Sequence, residues 1–237
     1  MDIITTAYGW EFLFRYVHFL AGITWIGVLY YFNFIQTPFF GTELGGQAKS
    51  AMIRGLVPNA LWWFRWGAMF TFLSGWILIL MYLTHGGMSL GDGLITRILT
   101  GGVMGTIMWF NVWFIIWPAQ RDYAIKSAEQ VAAGGEPVAG AAEKGALAAR
   151  ASRTNTLMSI PMLFFMGSAR HFDRFNNGDN DAIYWLIALV VILAVELNAV
   201  AGPASPGRQK YLTTVSGTIH AGVALTVVLY LVGAFLN

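Results

Sequence analysis

Apolar residues run in six long blocks along this chain, at about residues 12–36, 63–84, 94–117, 155–172, 183–201 and 211–235. Each is close to the ~20 residues an α-helix needs to cross a bilayer. Polar, glycine-rich breaks separate them: Gly41 to Gly46, "HGGMSLGDG" from His85, "NNGDND" from Asn176 and "GPASPG" from Gly202. The fourth block is the shortest and carries Pro161, which a membrane helix tolerates when neighbours re-satisfy the freed carbonyl. The pattern predicts an all-α integral membrane protein, a bundle of about six transmembrane helices. Residues 1–237 form a single membrane domain, in which the alanine-rich, mixed-charge stretch 118–153 is a helical or loop segment outside the bilayer on the cytoplasmic side.

Composition supports that class. The 237 residues are 57% hydrophobic and only 11% charged, against roughly 25% charged in soluble domains. A net charge of +2 offers nothing for nucleic acid. The chain has no cysteine, which excludes disulfides, thiolate metal sites and covalently attached c-type haem. The first apolar block is long and lacks a small-residue cleavage site, so it is expected to stay as a span.

Charge position gives the orientation. With the N-terminus on one side of six spans, that side holds Arg15, Arg97, Arg170 and Arg174, and the other holds the remaining ten Lys and Arg residues. Ten against four makes the second side cytoplasmic and places both termini in the periplasm. The expected location is a bacterial inner membrane, crossed several times.

Ionisable groups inside spans are costly and point to function. On this map His18, His85 and His171 fall near the outer leaflet, and His220 nearer the middle of the last span. His85, followed by two glycines, reads as an interfacial residue ending a helix. His220 reads equally as a ligand or as a hydrogen-bonded cross-link between helices. His18 and His171 each have a glycine one turn deeper on the same face, Gly22 and Gly167. Either those glycines leave room for a flat macrocycle held edge-on, or they allow close helix contact. His18 also heads a stripe of Gly22, Trp25, Leu29 and Asn33 at helical spacing, a face that meets protein.

Neutral imidazoles from two helices at equal depth suit the two axial positions of haem b. Copper is the alternative, because imidazole suits it and Met162 and Met166 lie on the same block as His171. Arg15, Arg170 and Arg174 are placed either to pair with haem propionates or to anchor at lipid headgroups. Glu196, the only acid well inside a span, is either a protonated buried group, part of a proton route, or a wet residue near a helix end. The resulting set is His18 and His171 as ligands, with Gly22, Gly167, Trp25 and Arg170 around the cofactor.

Four stretches, "RYVHFLAGITWIGVLYYFNF", "WFRWGAMFTFLSGWILILMY", "NVWFIIWPAQR" and "ASRTNTLMSIPMLFFMGSARHF", resemble the membrane N-terminal domain of the bacterial urate oxidase (urate hydroxylase) family over residues 12–172. His18 and His171 match the two histidines of those motifs. In fuller members, the resemblance implies, a c-type cytochrome domain outside the cytoplasm follows the membrane part, and the activity is electron transfer from urate. Here the chain ends at Asn237 without a cysteine, so the expected partner is a separate c-type cytochrome. Ala68 and Asn33 stand where the resemblance implies acids. The expected function is that of a membrane cytochrome b exchanging electrons with that cytochrome near the outer face. The alternatives are a urate or purine oxidase membrane subunit and a cofactor-free accessory subunit of a larger respiratory membrane complex.

Overall fold

The computed structural model describes residues 2–171, 181–202, 204, 205 and 207–236. Arg174 and most of the polar, glycine-containing break that begins at Asn176 lie outside the described residues. Every regular element among the described residues is helical. After one turn at Asp2–Thr5 come α1 (Ala7–Phe40), α2 (Glu43–Gly55), α3 (Val57–Thr84), α4 (Gly93–Ala132), α5 (Ala141–Ser168), α6 (Asp181–Val200) and α7 (Val215–Phe235).

Helices α1, α3, α4, α6 and α7 are long and apolar enough to cross a membrane, and the chain is a multi-pass membrane protein. That measure counts five such helices among the described residues, one fewer than the six expected from the sequence. The difference is α5, which contains most of the block at 155–172 and is too polar to qualify. Thr154, Asn155, Thr156 and Ser159 on α5 are nonetheless fully buried. The helix runs inside the bundle against α4, α6, α7 and the inner half of α1, so its polar groups meet protein rather than lipid.

Helix ends follow local chemistry. Thr6, Thr42 and Thr214 each accept a hydrogen bond from the backbone N–H three residues on, starting α1, α2 and α7. The 118–153 segment consists of the outer turns of two long helices and a short turn, because α4 continues to Ala132 and α5 begins at Ala141. Wide π-helical turns interrupt α1 at Tyr31–Gln36 and α4 at Asn111–Ile116, each just before a proline, Pro38 or Pro118. A proline ring crowds the carbonyl four residues back, so the backbone bonds one residue further: Thr37 N–H reaches Phe32 O and Trp117 N–H reaches Val112 O.

The main pairing is α1 along α3. Its core is the expected stripe: Trp25, Leu29 and Asn33 are at most 3% exposed. Polar bonds then tie the helices together. Asn33 donates to Ser152 Oγ on α5 at 2.8 Å, and Tyr30 shares a hydrogen bond with Ser159 at 2.8 Å. Asn111 on α4 donates to Asn155 Oδ1 on α5 at 2.9 Å and to Glu196 Oε2 on α6 at 3.1 Å. Asn155 itself donates to Met108 O at 2.9 Å. Glu196 is therefore a buried member of a three-helix network, not a wet residue at a helix end.

Candidate functional site

At the end of the bundle that carries the N-terminus of α1, a cavity of about 960 Å³ lies between α1, α3, α4 and α5. Its wall includes all six residues singled out from the sequence: His18, Gly22 and Trp25 from α1, and Gly167, Arg170 and His171 from α5 and the turn after it. The volume is at the upper end of the range for ligand sites, about 300–1,000 Å³. Exposed Phe19, Ile23 and Leu163 stand at its side, so it opens laterally between α1 and α5.

His18 is held in one tautomer. Its Nδ1 lies 2.9 Å from the backbone oxygen of Thr71 on α3, with Ser74 Oγ 3.2 Å away. A carbonyl oxygen only accepts, so Nδ1 carries the proton and Nε2 carries the lone pair. Among the described residues, Nε2 has no hydrogen-bond partner. A backbone carbonyl behind one ring nitrogen, with a basic nitrogen on the other side, is how proteins orient metal-ligating imidazoles. Gly75 makes room for this placement: a Cβ there would stand 3.0 Å from His18 Cε1.

The glycines divide by function. A Cβ on Gly67 would come within 3.1 Å of the backbone of Trp25, one on Gly101 within 3.0 Å of Met162 O, and one on Gly222 within 2.7 Å of Leu157 O. Those three are the close helix contacts. At Gly22 a Cβ would meet only Thr71, at 3.8 Å, and at Gly167 it would meet nothing within 4 Å. Of the two roles open to this pair, helix contact does not apply, because the space beside them belongs to the cavity.

The mouth is polar. Arg15 donates to Tyr82 Oη at 2.8 Å and pairs with Glu11 one turn away. The Arg170 guanidinium lies 5.7 Å from the centre of the same Tyr82 ring. Tyr82 thus joins two cations beside His171, which is exposed. Deeper, Trp76 Nε1–H donates to Thr106 Oγ1 at 3.2 Å, closing the wall between α3 and α4. Trp25, 1% exposed, packs at the inner end.

Two histidines stay apart from this site. His85 caps the end of α3, exposed, with Nδ1 2.8 Å from Thr84 Oγ1. His220 lies in the second turn of α7, not its middle, is exposed, and bonds Ser216 of its own helix at 3.1 Å rather than a neighbouring helix. Among the described residues, no group of three His, Cys, Asp or Glu side chains is placed to hold a metal ion. A ligand held here through metal must bring the remaining coordination itself, as a porphyrin does. Met162 and Met166 line the same cavity, and Met162, 4% exposed, also packs between α4 and α5, its sulfur 3.5 Å from where a Cβ on Gly105 would be.

Sequence reading missed Thr71, Ser74, Gly75 and Tyr82. Thr71, Ser74 and Gly75 stand out as small residues in a helix otherwise rich in large apolar side chains, which marks a close-packed face of α3 but not what packs there.

Comparison with known proteins gives one family. The model of the urate oxidase N-terminal family matches residues 93–230, more than half of the chain. The match runs from α4 into α7, past the limit of the motifs at residue 172, and includes Gly167, Arg170 and His171. No curated protein and no solved structure matches the chain.

Proposed function

The chain belongs to the urate oxidase N-terminal family, and from that premise we propose that it is a membrane cytochrome b. In this reading haem b would occupy the cavity, held by His18 and His171. The bundle crosses a bacterial inner membrane six times, α5 included, with both termini and the cavity mouth on the periplasmic side. The observation that carries the reading is the His18 imidazole, protonated on Nδ1 against Thr71 O, which leaves an unprotonated Nε2 on a residue that lines the same cavity as His171.

The residues fit the group. Gly22 and Gly167 leave the width a flat ring needs, and the walls below them are apolar. Arg15 and Arg170, held about Tyr82, are cations at the mouth where the anionic propionates of a porphyrin would emerge. Trp25 and Trp76 keep water from the inner end, and Thr71 fixes the direction of the His18 lone pair. Haem, when bound, supplies one-electron redox chemistry at a potential set by its two ligands and its burial. The chain's own work is to hold that centre close to the outer surface, within reach of a separate c-type cytochrome.

The purified protein tests this directly. The reading expects a haem b absorption spectrum that changes on reduction with dithionite and a pyridine haemochrome of b type. Protein purified from haem-sufficient cells with no such band would overturn it and favour a cofactor-free subunit of a respiratory membrane complex.

The family match favours a second reading, in which urate or a related purine is oxidised at the mouth. Arg15 and Arg170 would then receive an anionic purine. Urate-dependent reduction of an added cytochrome c distinguishes this from electron transfer alone.

A further inference from the structure

At the other end of the bundle, near the start of α3, Arg65 carries a charge that no carboxylate among the described residues pairs with. Its guanidinium lies 4.1 Å from the centre of the Trp117 ring, 5.0 Å from Trp113 and 5.6 Å from Trp66. Among the described residues it makes no ion pair and no hydrogen bond, and its Nε is buried without a partner. Arg121 lies over the same Trp117 ring, at 5.7 Å. The carboxylate of the group, Asp122, already takes Arg121 through two bonds of 2.9 and 2.6 Å and Lys126 at 3.2 Å. Three cations thus share one acid, and the cation without a carboxylate is the one clamped in aromatic rings.

Stacking fixes the guanidinium plane but leaves its N–H donors unused. Arg121, over the same indole, has Asp122 as its counter-ion, whereas Arg65 has none among the described residues and is left with the repulsion between the two cations. Trp62 and Trp63, 48% and 59% exposed, flank Arg65 on α3 and stack edge-on at 5.0 Å. Exposed tryptophans next to basic residues mark the depth of lipid headgroups, where phosphates lie.

We propose that Arg65, in its cage of Trp66, Trp113 and Trp117 and aided by Arg121, binds the phosphate of an anionic phospholipid. The fork of the guanidinium suits two phosphate oxygens. The excess positive charge selects a headgroup of net negative charge over a zwitterionic one.

Native mass spectrometry of the purified chain in detergent, with added phosphatidylglycerol, phosphatidylcholine or inorganic phosphate, tests this. Phosphatidylglycerol is expected to be retained about fivefold more than phosphatidylcholine. Arg65→Gln should remove that preference and Arg121→Gln should weaken it, while inorganic phosphate at millimolar concentration should not displace the lipid. Equal retention of the two lipids, or an unchanged preference in Arg65→Gln, overturns the proposal. Displacement by inorganic phosphate would make this a free-phosphate site and overturn the lipid assignment. If Arg65→Gln fails to fold, Arg65→Lys keeps the charge but not the fork and should retain less phosphatidylglycerol than the wild type; full retention overturns the proposal.

Discussion

The His18 imidazole lies against the bare Cα of Gly75, so closely that a methyl group there would sit 3.0 Å from Cε1 and 3.3 Å from Nδ1. One helix supplies the histidine, and the other supplies both the acceptor that orients it and the space in which it stands. Gly75→Val should turn the ring out of its bond with Thr71 and lower the haem-to-protein ratio severalfold. Gly167→Ala, which adds a methyl to open space, should leave that ratio near wild type, whereas Gly167→Leu and Gly22→Leu should lower it by filling the cavity. Pyridine haemochrome assay against protein concentration reads all four. Full occupancy in Gly75→Val would mean that the His18 placement does not matter.

The Asn111–Asn155–Glu196 network offers a stability test away from the cavity. Asn155→Ala removes the acceptor of one Asn111 bond and the donor to Met108 O. The expected loss is about 1–3 kcal/mol, since membrane hydrogen bonds are individually modest but an abandoned buried partner costs more. Thermal unfolding in detergent should show it as a lower midpoint with no change in the absorption spectrum of the folded protein. An unchanged midpoint would mean that the bonds contribute nothing net.

Much of this fold was legible in the apolar blocks, and the reason is bilayer length: five of the six blocks correspond to helices long and apolar enough to span, three lying wholly within them and two overrunning by one and four residues. What failed is instructive. Helix α5 has Thr154, Asn155, Thr156 and Ser159 fully buried, and hydropathy judges a helix by its fitness for lipid, not for the inside of a bundle. Helix α2 was missed because Glu43–Gly55 is polar and contains Gly45 and Gly46, so only its cap at Thr42 announces it. In the site, His18, Gly22, His171 and Gly167 were readable as residues of one cavity because each pair has a four-residue spacing, although α5 ends at Ser168 and His171 lies in the turn after it. Gly75 and Tyr82 were not, because their roles depend on the register of α3 against α1, which no single-helix pattern contains.

Topology has its own test. If the chain crosses six times, which would put ten of its fourteen basic residues on one side, a periplasm-active reporter fused after Asn237 should be active, and one inserted near Gly140 should be silent there but active as a cytoplasmic reporter. The reverse pattern would move the cavity mouth to the cytoplasmic side and exclude a periplasmic cytochrome as partner.

Urate separates the two functional readings. If the chain only transfers electrons, the purified protein should not consume urate, with or without added cytochrome c, as followed by loss of urate absorbance. Steady turnover that depends on both urate and the cytochrome would establish the enzyme reading instead.

The most direct measurement is electron paramagnetic resonance of the oxidised protein beside His18→Ala and His171→Ala. With two imidazoles on one iron, the wild type should be low-spin. Each single variant should become high-spin or lose haem, while His85→Ala and His220→Ala, away from the cavity, keep the wild-type signal. A low-spin signal preserved in both His18→Ala and His171→Ala would contradict the ligand assignment.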